Sequence, residues 1–227
     1  MNLRRALCLC LVVGIATACV FFARKNKQEV TIRWTEINYL VQDYFSPPSA
    51  TNLMLGSSSI ARLVSEKYLD PACGAWTNRG VGSSTIKDTL RYLRLTKANE
   101  SMNKVILYLG ENDLAKGTDF QTVLARYKTL LQALSDKFKN ATVNIVAVKP
   151  SLSRMSTWAS FQSLNQRIEE LSESHEKLVF HNPEWMDVYR SGSDHETHPW
   201  FLNDGVHLTH AGYLAFAEPI NKACTYQ

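Results

Sequence analysis

The stretch Val105-Ile106-Leu107-Tyr108-Leu109-Gly110-Glu111-Asn112-Asp113 decides the fold of this chain. Five apolar residues follow one another without a polar interruption, then give way to a glycine and three polar residues. An unbroken apolar run of this length suits a strand covered on both faces, as in a parallel sheet flanked by helices. In such sheets, ligands bind beyond the carboxyl ends of the strands. The turn from Gly110 to Asp113 therefore falls where chemistry is expected.

Similar units lie on either side. Upstream, Asn52 to Leu55 reads as a short buried strand ending at Gly56-Ser57-Ser58-Ser59, and Ile60, Leu63 and Val64 open a helix. Ala75 to Asn78 is a weaker strand, followed by Gly80-Val81-Gly82-Ser83 and a helix carrying Ile86, Leu90 and Leu93. Downstream, Phe120, Val123, Leu124, Tyr127, Leu130, Leu131 and Leu134 recur at helical spacing. Val143 to Val148 is a strand closed by Lys149-Pro150, and Trp158, Phe161, Leu164, Ile168 and Leu171 mark the next helix. Leu178-Val179-Phe180 is a fifth strand. Tyr213, Phe216, Ala217 and Ile220 define a last helix, with Thr209 as its N-cap. Ahead of all these, Trp34, Ile37, Val41 and Tyr44 predict an amphipathic helix that stops at Pro47-Pro48. The alternation predicts an α/β fold: a three-layer α/β/α sandwich around a five-stranded parallel sheet.

The polar segments after the strands carry complementary chemistry. Gly56 to Ser59 supplies hydroxyls, and Asp204-Gly205-Val206-His207, between the fifth strand and the last helix, supplies an imidazole and a carboxylate. A hydroxyl becomes a useful nucleophile when an adjacent base accepts its proton. A carboxylate on the far imidazole nitrogen fixes the tautomer and stabilises the imidazolium. Each segment alone is a common turn or helix cap. Four of them in order at strand ends point to a serine hydrolase. The residues by themselves do not choose among Ser57, Ser58 and Ser59.

In these blocks the chain resembles the SGNH (GDSL-type) hydrolase superfamily, from about Asn52 to Ile220. The resemblance implies a flavodoxin-like sheet and ester hydrolysis through an acyl-enzyme, without a cofactor. The first block, Gly56-Ser57-Ser58, assigns the nucleophile to Ser58, although Ser57 stands where the family has aspartate. The block Gly110-Glu111-Asn112-Asp113 places an oxyanion-stabilising amide on Asn112. The block Asp204-Gly205-Val206-His207 supplies the carboxylate and base. A bacterial branch is similar at Asn78-Arg79-Gly80, at Leu107 to Asp113 and at Lys149-Pro150-Ser151. The family's oxyanion glycine falls on Ser83, with Gly82 just before it. A backbone N–H is what the chemistry needs, so either residue can serve. The superfamily includes carbohydrate O-acetyl esterases, lysophospholipases and thioesterases. A non-catalytic relative that binds glycan or lipid is the alternative of another class; the intact Ser58, Asn112, Asp204 and His207 argue against it.

Composition bounds the rest. The 227 residues suit one domain. Of 25 basic residues, four (Arg4, Arg5, Arg24 and Lys25) lie in the acid-free first 25 positions, which leaves 21 against 21 acidic ones. A neutral domain offers no nucleic-acid footprint. Residues 1–28 read as an N-terminal membrane anchor or signal segment with a short linker, and residues 29–227 as the hydrolase domain. Ala6 to Ala23 is uncharged and apolar, and as a helix these residues would rise about 27 Å, close to the bilayer hydrocarbon thickness. A cleaved signal competes with the anchor, because Ala16-Thr17-Ala18 is a small-residue pattern and Cys19 follows it. Basic residues flank both ends of the run, so the positive-inside count does not decide its orientation. A short N-terminus with an exported domain is the commoner arrangement, and outside the cytoplasm Cys73 and Cys224 can pair.

Lys149 and Arg154, past the fourth strand, are candidates for contact with an anionic substrate. His195-Glu196-Thr197-His198 lacks a third ligand, so no metal is expected. His181 and His210 are expected to be structural, and Trp200, Phe201 and Leu202 to pack behind the Asp204–His207 loop. No long apolar insertion is present to line a deep acyl channel. The expected substrate is a small-molecule or glycan ester with a short acyl group.

Overall fold

The computed structural model describes residues 27–183 and 198–225. Five strands form one sheet: β1 (Asn52–Gly56), β2 (Trp76–Gly80), β3 (Lys104–Tyr108), β4 (Thr142–Val146) and β5 (Leu178–His181). All neighbours are parallel, in the order β2-β1-β3-β4-β5. Met54 sits opposite Asn78 on one side and Ile106 on the other. The α/β sandwich expected from the sequence is the observed fold. The chain moves from β1 outward to β2, then crosses back to β3, so a crevice opens at the carboxyl ends of β1 and β3.

The helices are α1 (27–45), α2 (Ser58–Ala61), α3 (Ser65–Tyr68), α4 (Ile86–Leu95), α5 (Glu111–Ala115), α6 (Phe120–Lys137), α7 (Trp158–Glu173) and α8 (His210–Thr225). The two-residue period of the strands divides them into two cores. Leu53, Leu55, Val105, Leu107, Val143 and Ile145 join the inner faces of α4, α6 and α7. Met54, Ile106, Tyr108 and Val146 face the other way, against Ile60, Leu63, Tyr213 and Phe216. The run that decides the fold is buried on both faces: Val105, Ile106, Leu107 and Tyr108 are all 0% exposed. Each such side chain contributes about 1.5–3 kcal/mol relative to exposure. Because α8 lies over β1 and β3, the loop that precedes it reaches the crevice. Thr209 caps α8 as expected, its Oγ1 accepting the Gly212 N–H at 3.2 Å.

Helix α1 forms as expected, and its apolar stripe faces away from the domain. Trp34, Ile37, Val41 and Tyr44 face outward, with Val30 and Phe45 also exposed. The face turned to the domain carries Ile32, Glu36, Tyr39, Leu40 and Asp43. Polar contacts hold this face. Glu36 pairs with Arg91 at 2.8 Å, and Asp43 pairs with Arg79 at 2.5 Å and accepts the Tyr92 hydroxyl at 2.9 Å. Hydropathy periodicity finds an apolar stripe without stating what covers it.

Cys73 and Cys224 are joined in a disulfide, with Cα atoms 5.1 Å apart. The bond ties the end of α8 to the 3-10 turn Pro71–Cys73 ahead of β2. The apolar segment 6–23 and the residues His195 to Thr197 lie outside the described residues. Among the described residues, no helix is long and apolar enough to cross a membrane.

Candidate active site

The turn after β1 is built by its neighbour. A Cβ on Gly80 would stand 2.3 Å from the Ala61 nitrogen, so β2 can approach α2 this closely only with glycine there. Next to it, Asn78 donates from Nδ2 to the carbonyls of Ile60 (2.7 Å) and Leu63 (3.0 Å) and accepts the Gly80 N–H at 2.8 Å. Three bonds from one side chain thus fix the segment that carries Ser58. Ser57 and Ser59 are buried, whereas Ser58 is partly exposed. Its Oγ lies 3.1 Å from His207 Nε2. The structure thereby separates three serines that the residues alone leave equivalent.

His207 Nδ1 lies 2.5 Å from Asp204 Oδ2. Asp204 Oδ1 accepts the N–H groups of Val206 and His207, each at 2.9 Å. Burial alone would raise the Asp204 carboxyl. The His207 side chain and the two backbone donors outweigh it and hold the group well below the usual carboxylate range. The loop has its own scaffold. Leu202 N–H donates to His207 O and Gly205 N–H to Leu202 O, both at 2.8 Å, and Phe201 and Leu208 form an isolated bridge. Phe201 is buried as expected behind the loop, and the expectation for Leu202 is corrected: its side chain is 43% exposed, because the residue works through its backbone.

Asn112 sits at the second position of α5. The helix starts after Gly110, whose φ of 105° lies in the region that favours glycine. Asn112 Nδ2 donates to Ser84 O at 2.9 Å, and Oδ1 accepts from Arg154 Nη1 at 3.2 Å. One N–H of the amide is left for a ligand. Among the described residues, the N–H groups of Ser58, Gly82 and Ser83 have no protein acceptor. Ser83 has φ 61°, a left-handed conformation, and its carbonyl accepts from Lys116 Nζ at 2.7 Å. This is a conformation glycine adopts freely and serine only at a cost of about 1–2 kcal/mol. We expect Ser83→Gly to keep esterase activity and to leave stability unchanged or raised by up to about 1 kcal/mol, glycine's larger unfolded-state entropy offsetting part of the relief. Urea denaturation and ester hydrolysis check this; a loss of both would show that the serine side chain itself is required.

Lys149 is corrected, and Arg154 is found already engaged within the protein. Lys149 is 0% exposed and pairs with Glu111 Oε2 at 2.7 Å, so it has no route to a substrate. Arg154, expected to meet an anionic substrate, is committed to Glu111 Oε1 at 2.7 Å and to Asn112. Burial would raise the Glu111 carboxyl, but Lys149 and Arg154 hold it below its ordinary value, while burial lowers Lys149 despite its partner. Sequence reasoning misses Glu111 as a member of this site. The pairing depends on β3 lying beside β4, which the residues do not state locally. Asp113, also missed, is buried, accepts the Ile86 N–H at 3.1 Å at the start of α4, and is pushed by burial to about 6. His181 is buried against Asn144 Oδ1 at 2.9 Å and is pushed by burial to about 4, and the His210 ring lies tilted beside Tyr68, 5.5 Å between centroids.

A serine hydroxyl, an imidazole and a carboxylate in hydrogen-bonded sequence at the switch point of a parallel sheet are the arrangement of a serine hydrolase. The model of the GDSL-like lipase/acylhydrolase family matches residues 49–215, and the chain belongs to that family, a family of ester hydrolases. No curated protein sequence matches it significantly. Solved structures share the fold. A Streptococcus pneumonia protein described as a candidate platelet activating factor is 17% identical, with a TM-score of 0.77 over 91% of this chain and 99% of that one. A psychrotrophic esterase from a Pseudoalteromonas species is 16% identical, with a TM-score of 0.56 over 77% and 96%. An acetylxylan esterase from Geobacillus stearothermophilus is 12% identical, with a TM-score of 0.56 over 78% and 94%.

Proposed function

We propose that the chain hydrolyses short acyl esters, O-acetyl groups of carbohydrates among them, through an acyl-enzyme on Ser58. The carrying observation is the run of contacts Ser58 Oγ to His207 Nε2 (3.1 Å) and His207 Nδ1 to Asp204 Oδ2 (2.5 Å). His207 takes the hydroxyl proton as Oγ attacks the ester carbonyl. The backbone N–H of Ser58, that of Ser83 or Gly82, and Asn112 Nδ2 receive the oxyanion. His207 then protonates the leaving alcohol. Water repeats the sequence on the acyl-enzyme and restores Ser58.

The short-acyl preference is supported by the openness of the site: the Asp204 side chain is 48% exposed and that of His207 21%. Each buried CH₂ contributes about 0.8 kcal/mol, which an open site collects poorly. The likeness to an acetylxylan esterase agrees with an acetyl group on a glycan. The test is kcat/KM over p-nitrophenyl esters from acetyl to dodecanoyl, with acetylated xylan beside them. A decline beyond butyryl supports the proposal. A steady rise toward long chains replaces it with a lysophospholipase-like or thioesterase-like acylhydrolase.

We also propose that the domain works outside the cytoplasm, held at a membrane by residues 6–23. Three features support this: the apolar run between basic residues, the outward apolar stripe of α1, and a disulfide of the kind that persists in oxidising compartments. A C-terminal fusion to alkaline phosphatase should be active in intact cells, with the protein in the membrane fraction. Activity confined to a cytoplasm-requiring reporter would reject the topology.

A further inference from the structure

We infer that Arg154 is a positioning residue for Asn112, setting which way its amide faces; the inference rests on the proposed role of Asn112 at the oxyanion. Arg154 lies in the 3-10 turn Leu152–Thr157 after β4. Its Nη1 donates both to Glu111 Oε1 (2.7 Å) and to Asn112 Oδ1 (3.2 Å).

The support is fixed at both ends. Glu111 is buried and accepts four bonds, from Tyr108 Oη, Lys149 Nζ, Ser151 Oγ and Arg154 Nη1, each 2.7 Å long. A carboxylate held by four donors cannot turn, so it anchors the guanidinium. On the other side, Asn112 Nδ2 meets Ser84 O at 2.9 Å. Ser84 is held by its own Oγ on Gly56 O and its N–H on Val81 O, both at 3.2 Å.

Donor and acceptor rules then determine the amide. A guanidinium only donates and a backbone carbonyl only accepts. Turning the Asn112 amide by half a rotation would set Nδ2 against the guanidinium and Oδ1 against the Ser84 carbonyl, losing both bonds. The second Nδ2–H is therefore kept pointing away from both partners and remains a donor. Without Arg154, one of the two restraints disappears and the turned amide presents an oxygen where a donor is needed. The charge of Arg154 acts in the same sense. A charge-assisted bond to Oδ1 also polarises the amide and strengthens its N–H.

The experiment uses the full chain and p-nitrophenyl acetate. Asn112→Ala alone should lower kcat by about 10²- to 10³-fold. Arg154→Met and Arg154→Lys should each lower kcat about 10- to 100-fold with KM near wild type, as partners of functional side chains typically do. Lysine keeps a cation for Glu111 but cannot span two acceptors as the planar fork does. In the Asn112→Ala background, both Arg154 changes should alter kcat by less than about twofold, because the group through which Arg154 acts is gone. Additive losses there, a change confined to KM, or a lowered melting temperature with unchanged kcat would each overturn the inference. An Asn112→Ala enzyme with wild-type kcat would instead overturn the oxyanion reading itself.

Discussion

Ser58→Ala should reduce kcat for p-nitrophenyl acetate by about 10⁴- to 10⁶-fold and abolish labelling by a fluorophosphonate, with the fold intact. The size follows from the site. Among the described residues, Oγ of Ser58 is the hydroxyl within hydrogen-bond reach of His207 Nε2, at 3.1 Å, and the substitution removes it. What remains is the oxyanion donors and binding, which still act on attack by water. Ser57→Ala and Ser59→Ala serve as controls. Both residues are buried, at 3% and 2% exposure, so their loss costs stability before it costs chemistry. The melting temperature of Ser58→Ala should match wild type, since its side chain is partly exposed and packs little. Full activity in Ser58→Ala would remove the nucleophile assignment and with it the acyl-enzyme.

The architecture is legible because its signals are local. The Val105 to Leu109 run is apolar on every residue since both faces of β3 are covered, and that pattern needs no knowledge of partners. The candidate site is legible for a different reason. Ser58 follows β1 and Asn112 follows β3, and the loop Asp204–His207 ahead of α8 reaches the same sheet edge. Choice among the three serines depends on which hydroxyl points out of a short turn, a matter of backbone direction that the residues do not encode one by one. The resemblance supplies it, and the exposure of Ser58 between two buried serines gives the physical ground.

What the sequence conceals are pairings between polar groups. Lys149 reads as an exposed charge at a strand end because most lysines are exposed. Here it is buried, because Glu111 lies at the end of the neighbouring strand. Strand order decides this, and strand order is not local. Helix α1 shows the same limit. Its apolar stripe is real, but the domain holds the opposite face through Glu36–Arg91 and Asp43–Arg79. Helical spacing of apolar residues says that one face is apolar and is silent on which face the domain takes. Ser83 is the clearest local departure. A serine stands in a left-handed conformation, φ 61°, in the turn between β2 and α4, where a glycine would be the easier residue.

The second large effect concerns tautomer control. Asp204→Asn should lower kcat by about 10³- to 10⁴-fold with little change in KM. The asparagine side chain is nearly isosteric with aspartate, so its oxygen can still accept the Val206 and His207 N–H groups that the carboxylate now accepts at 2.9 Å. The loop should therefore keep its shape, with Leu202 still bonded to His207 O. The change falls on the contact between His207 Nδ1 and position 204. An aspartate oxygen accepts Nδ1–H and leaves Nε2 free to take the Ser58 proton. An amide NH₂ in its place favours a bare Nδ1 and puts the proton on Nε2, where it blocks the base. The imidazolium that forms during attack also loses its counter-charge. That counter-charge is constant over the working pH range, because the Asp204 carboxyl is held well below its ordinary value. Near-normal KM with an unchanged melting curve would separate this effect from a collapsed loop. A loss of less than about tenfold would mean that water or a neighbouring group sets the His207 tautomer. Asp204 would then be an anchor for the loop and not a member of the triad.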